Sequence, residues 1–251
     1  MLSIAIAACT PSDGSDDDDG DGVQSAIPPA LISALPPEGG RLAQQDPDRF
    51  LALVERVRTE PEELTWLVDK NHPLAAEYVP EDIRLLRDYP APLVLNRTDL
   101  SLREIILPDL VAMVESAAEE GITLDISSSY RSYDYQAGLF QRNVDQLGLE
   151  QAERESARPG TSQHQLGTTV DFGSVTAAFA DTPAGRWLSD HAWRYGFSLS
   201  YPDGYEEITG YMYESWHYRY IGKAAAQLER EYFGGVQQTM LEYLAANRAL
   251  D

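Results

Sequence analysis

Gly160-Thr-Ser-Gln-His-Gln-Leu-Gly-Thr-Thr-Val-Asp-Phe172 sets an imidazole, His164, and a carboxylate, Asp171, seven positions apart with a glycine between them. Seven extended residues would separate the two backbones by roughly 23 Å, so any shared ligand requires the chain to turn back. Gly167 can take the positive φ that such a reversal often needs. Thr168-Thr-Val-Asp-Phe172 then reads as a short strand, with Thr169 and Asp171 on one face and Val170 and Phe172 on the other. The polar pair points to a site and the apolar pair to a core.

The other pairing of this kind is Glu214-Ser-Trp-His217. Residues three apart fall on opposite faces of a strand but on one side of a helical turn, so the pair requires a tight turn before Trp216. His164, Asp171 and His217 supply the nitrogen and carboxylate donors that zinc prefers, in the number that leaves a fourth position for water. The two stretches are therefore expected to meet at one zinc ion at the rim of a sheet. Glu214 would stand beside the metal without ligating it, as a general base that later passes its proton to a leaving amine. Arg131, between a strand end and a helix start, offers a positive fork for a peptide's terminal carboxylate or a developing oxyanion. The two remaining histidines read as packing or surface residues: His72 precedes a proline, and His191 sits among aromatics at helical spacing.

At 251 residues the chain can bury one sizeable core with terminal appendages. A formal charge of −22 disfavours nucleic acid or an anionic membrane surface as a partner. The only cysteine is Cys9, which rules out an intrachain disulfide framework or thiolate metal cluster. It ends the apolar run Met1-Leu-Ser-Ile-Ala-Ile-Ala-Ala-Cys9, which is too short to span a bilayer. Ile6-Ala-Ala-Cys9 resembles the lipobox of bacterial lipoproteins, and that resemblance implies lipidation of Cys9, export, and a membrane tether. Residues 1–9 are thus read as a truncated signal, residues 10–45 as an acidic and then Pro-rich disordered linker, and residues 46–251 as the catalytic domain.

Within that domain Asp46 is placed as the N-cap of a helix carrying Phe50, Leu51, Val54 and Val57. Residues 67–83 read as an ordered loop. Ser101-Leu-Arg-Glu104 reads as a capping box, with Pro108 kinking the helix or marking a second start. Ile122–Ile126 alternates like a strand, and a helix follows Tyr-Arg-Ser-Tyr-Asp-Tyr-Gln136. Thr182 caps a helix from Pro183 to Tyr195 that Gly196 ends, Phe197–Ser200 and Trp216–Ile221 are strands, and two helices close the chain on either side of Gly234-Gly235.

Ser-x-His with six residues before Asp, then Glu-x-Trp-His, and before both Tyr-Arg-Ser-Tyr-x-x-Gln, resemble in this order the D-alanyl-D-alanine carboxypeptidases of the VanY type. These share a zinc-peptidase superfamily with D-Ala-D-Ala dipeptidases, lysostaphin-type enzymes and hedgehog domains. The likeness runs from about Leu67 to Gly222. It implies an α+β fold, a small antiparallel sheet flanked by helices. It also implies His164, Asp171 and His217 as zinc ligands, Glu214 as catalytic base, and Arg131 as a catalytic or substrate-binding group. Gln136 and Ser162 would line the substrate pocket. Thr169 stands where the family often has Ala, and Ser215 where it often has Pro. The activity implied is removal of the terminal D-alanine from peptidoglycan stem peptides in the cell envelope. Alternatives are an L,D-carboxypeptidase or a D-Ala-D-Ala dipeptidase using the same site, or a wall-binding module that keeps its metal without turnover.

Overall fold

A computed structural model describes residues 27–248. Cys9 and the acidic stretch, with the readings attached to them, lie outside the described residues. The strands are β1 (Ile83–Leu85), β2 (Val94–Leu95), β3 (Ser101–Arg103), β4 (Asp125–Ser128), β5 (Thr169–Phe172), β6 (Phe197–Leu199) and β7 (His217–Tyr220). The helices are α1 (Pro29–Ser33), α2 (Pro37–Gln45), α3 (Pro47–Thr59), α4 (Leu107–Glu119), α5 (Tyr133–Leu147), α6 (Leu149–Glu155), α7 (Pro183–His191), α8 (Glu206–Thr209), α9 (Lys223–Tyr232) and α10 (Gln237–Asn247). Among the described residues no helix is long and apolar enough to cross a membrane.

β5 and β7 lie at the centre of a five-stranded sheet ordered β2-β4-β5-β7-β6, antiparallel except where the two-residue edge strand β2 runs parallel to β4. β1 and β3 form a separate antiparallel pair. Alternation along the strands separates two chemistries. Val170, Phe172 and Tyr218 join Ile126 and the buried stripe Leu107, Leu110, Met113, Val114 and Ala117 of α4 in one core. Asp171, His217 and Arg219 occupy alternate positions and turn to the other face. Arg219 is fully buried, and its Nη2 donates to the carbonyls of Leu64 (3.0 Å) and Trp66 (2.8 Å), tying the segment before the long loop to the sheet.

A second core joins α1, α2 and α3 to α9 and α10 through Leu31, Leu35, Ala43, Phe50, Val54 and Val57 against Ala225, Leu228, Tyr232 and Leu241. This corrects the linker expected over residues 10–45, because the segment from Ile27 to Gln45 is folded and buries Leu31, Leu35 and Ala43. Its prolines occupy the first turn of each helix, where the missing N–H costs nothing. Gly39 lets α2 approach α9 so closely that a Cβ there would lie 1.9 Å from the carbonyl oxygen of Tyr232.

Two further elements differ from expectation. Ser101 and Arg103 pair with Leu85 and Ile83 in β3, so the capping box does not form, and α4 starts at Leu107 with Pro108 in its first turn. Ile122 lies in the turn that closes α4, its N–H donating to the Ala117 carbonyl after Gly121 at φ +75°, and β4 begins only at Asp125. The caps at Asp46 and Thr182 stand as expected, each side chain accepting from the backbone N–H three residues on.

Gly39→Ala is expected to lower stability by about 1–3 kcal/mol through overpacking against Tyr232. Urea unfolding of the two proteins measures it, and equal midpoints and slopes would show that α2 does not seat on α9.

Candidate metal centre and its cavity

Gly167 takes φ +71° after a short 3₁₀ segment, Gln163–Leu166, and the chain doubles back into β5 as the spacing demanded. In the ladder Asp171 lies directly across from His217, the first residue of β7. The required turn is present: the His217 N–H donates to the Glu214 carbonyl at 3.1 Å, with Ser215 and Trp216 between them. On the other side of β5 a bulge separates Ile126 and Ser128 of β4, and the Ser127 hydroxyl donates to the Asp171 carbonyl at 3.1 Å.

These turns bring the expected ligands together. His164 Nε2 is 3.3 Å from Asp171 Oδ2, His217 Nδ1 is 3.2 Å from Asp171 Oδ1, and donor atoms of the three residues all lie within 4.8 Å of one another. Each imidazole is held by its other nitrogen. His164 Nδ1 meets the Ser129 carbonyl at 2.6 Å, and a carbonyl can only accept, so Nδ1 carries the proton and Nε2 presents a lone pair. His217 Nε2 faces Gln163 Oε1 at 3.3 Å. His164 Nε2 and Asp171 Oδ1 are buried without a hydrogen-bond partner among the described residues. Lone pairs converging in a buried place are costly unless a cation joins them. The donor set is the one a zinc or similar divalent ion takes, so the residues fit the expected metal.

Glu214 is 9% exposed, and its Oε2 lies 3.3 Å from His217 Nδ1. Burial, with the Asp171 charge adding to it, pushes the Glu214 carboxyl up to about 8 against the opposing pull of Arg131. Burial also pushes His164 down to about 4, helped by Arg131, so this imidazole is neutral at neutral pH.

A cavity of about 390 Å³ opens at these groups, lined by Arg131, Ser162, Asp171, Glu214, Trp216 and His217 together with Leu139, Glu155, Val175, Tyr201, Tyr211 and Met212. Arg131 donates its backbone N–H to the His164 carbonyl, and its Nε is buried without a partner among the described residues, free for an anionic ligand. Ser162 lines the cavity as expected. Gln136 does not line it: its amide donates to the Ala157 carbonyl at 2.7 Å and so braces the wall from behind. His72 pairs with Asp69 in the loop, and His191 stacks on Trp187 with ring centroids 4.8 Å apart, both away from the centre. Sequence reading missed Ser129, Gln163 and Tyr201, whose ring packs 4.8 Å from that of His217. The one available signal was that a ligating histidine needs a partner for its second nitrogen.

The sequence matches the VanY family, D-alanyl-D-alanine carboxypeptidase, over residues 99–223. A D-alanyl-D-alanine carboxypeptidase of Enterococcus faecalis is 30% identical over 197 residues, 75% of this chain and 69% of that protein. The chain belongs to the VanY family. It is also similar to YodJ of Bacillus subtilis, named as a carboxypeptidase, at 36% identity over 174 residues; the match takes 67% of this chain and spans 63% of that relative's length. Two solved structures share the fold. The LdcB LD-carboxypeptidase superposes with a TM-score of 0.66 at 32% identity, covering 74% of this chain and 88% of that one. A vancomycin-resistance D,D-pentapeptidase VanY in complex with Zn(II) gives 0.60 at 29% identity, covering 72% and 99%. The VanY match encloses the whole centre, from Arg131 through His217. α1 to α3 and α10 lie outside it.

The raised Glu214 value has a measurable sign in the metal-free protein. The unfolded chain releases this proton near 4.5 and the folded chain near 8, so between those values the folded state binds more protons and loses stability as pH rises. Glu214→Gln removes that loss. Relative to the parent, the variant should gain stability from pH 5 to pH 8 by up to a few kcal/mol in chelator-treated samples. Parallel stability curves would contradict the assigned burial of the carboxyl.

Proposed function

We propose that the chain is a zinc-dependent D,D-carboxypeptidase that removes the terminal D-alanine from peptidoglycan stem peptides. The observation that carries this reading is the convergence of the unpartnered His164 Nε2 and Asp171 Oδ1 with His217, beside a buried glutamate and an arginine with a free donor. A metal held only for structure needs neither a base nor a cation facing a cavity. Family membership supports the substrate class.

His164, Asp171 and His217 would hold the zinc. When bound, zinc supplies Lewis-acid chemistry, lowering the pKa of water toward about 7 and polarising the scissile carbonyl. Glu214 Oε2 takes a proton from the attacking water, holds it in a setting where burial favours the protonated form, and gives it to the leaving amine. A dication in the adjacent triad favours the charged carboxylate, which keeps the base form available before attack. Arg131 binds the substrate carboxylate or the developing oxyanion through its free Nε. Tyr201, Tyr211 and Trp216 wall the cavity and limit water around the reacting bond.

Such a substrate lies outside the cytoplasmic membrane. With the lipobox-like Ile6-Ala-Ala-Cys9, this supports an exported protein tethered through a lipidated Cys9. A second reading, L,D-carboxypeptidase action on the tetrapeptide, is favoured by the structural likeness to LdcB.

Glu214→Ala is expected to retain one zinc per chain by metal analysis while losing about a thousandfold in turnover. Pentapeptide and tetrapeptide stems assayed side by side, with product identification, rank the two specificities. Inactivity on both by a zinc-loaded parent protein would remove the carboxypeptidase reading.

A further inference from the structure

His217 meets Gln163 Oε1 through Nε2, and the identity of that partner atom decides which ring nitrogen is left for a metal. A glutamine amide can turn over and present its NH₂ instead, so its orientation needs a cause. The cause lies two residues further on. Gln163 Nε2 donates to Gln237 Oε1 at 3.2 Å, and Gln237 Nε2 donates to the Ser198 carbonyl at 3.4 Å. The Ser200 hydroxyl lies 2.7 Å from Gln163 Oε1 and 3.3 Å from Gln237 Oε1, where it can donate to both oxygens. All of these groups are buried.

A backbone carbonyl accepts and never donates. Ser198 therefore fixes the NH₂ end of Gln237, which turns its oxygen toward Gln163. That oxygen fixes the NH₂ end of Gln163, which turns the second oxygen toward His217. His217 Nε2 must then carry the proton, leaving Nδ1 with its lone pair beside Asp171 Oδ1. Polarity passes through two amides from a β6 carbonyl to the metal centre.

We infer that Gln237, the first residue of α10, is a positioning residue for the metal centre, acting through Gln163 to set the tautomer of His217. It lies 20 residues beyond His217 and outside the segment that matches the VanY family. Its partners come from three other places: the 3₁₀ segment, β6, and the residue just after β6. The inference rests on the metal-binding reading and goes beyond it, since it gives the C-terminal helix a part in zinc affinity.

Zinc affinity of the full chain, read by competition with a chromophoric chelator, tests the inference without reference to turnover. Gln163→Met removes the acceptor, and Gln237→Met frees Gln163 to turn over. Each is expected to weaken zinc binding about 10- to 100-fold, the size usual for loss of a ligand's outer partner. Adding Gln163→Glu to Gln237→Met should restore affinity to within about threefold of the parent, because either carboxylate oxygen accepts and no turned-over donor form exists. A merely structural contribution of Gln237 predicts that Gln163→Glu changes affinity by the same factor with and without Gln237→Met. A double variant that binds zinc no more tightly than Gln237→Met would overturn the inference. Imidazole ¹⁵N spectra of the zinc-loaded parent provide a reading that needs no variant: the proton on His217 Nε2 supports the chain of amides, and on Nδ1 defeats it. A parent chain that takes up no zinc would instead defeat the metal reading on which the inference stands.

Discussion

One buried carboxylate facing two imidazoles constrains most of this molecule. Asp171 is 4% exposed with His164 and His217 within 3.3 Å of its oxygens, and the lone pairs that the three turn toward one point are costly together until a cation joins them. Each imidazole has to be delivered by a different piece of chain. The αL turn at Gly167 folds the 3₁₀ segment back over β5, and the ladder between β5 and β7 puts His217 across from Asp171. The sheet is small, yet both of its central strands serve the centre.

Glu214 and His217 form a second unit of the same kind. The hydrogen bond between the His217 N–H and the Glu214 carbonyl closes a turn, so a proton carrier and a metal donor move together. Arg131 is coupled in turn, because its N–H is bonded to the His164 carbonyl. The groups expected to do chemistry are thus linked by backbone, which limits how far one can drift without the next.

The sequence showed the centre more clearly than its surroundings. A glycine between His164 and Asp171, alternation through Thr169–Phe172, and the three-residue spacing of Glu214 and His217 each have one local solution, and the structure adopts it. At Ser101 the local pattern gives way to a partner in another strand, Leu85, and at Ile122 to a competing local bond, its N–H closing the turn after α4 on the Ala117 carbonyl. The helices before Asp46 were missed for the reason that holds at Ser101. Their prolines and glycines read as breakers until α9 is there to be packed against. Gln136 reads from the sequence as a cavity residue, whereas its buried NH₂ donates to the Ala157 carbonyl behind the wall. Residues that act on the ligands from the second layer, Ser129 and Gln163, carry no spacing signature at all.

Arg219 has a consequence for how the wrapping of the domain bears on the centre. A guanidinium gives up its hydration at a cost in the middle of a sheet, and the carbonyls of Leu64 and Trp66 offset part of it by accepting from Nη2. Burial of β7 and closure of the 64–66 segment over it are therefore coupled. His217 lies two residues along the same strand, so a loosened outer wrapping would be felt at a metal donor.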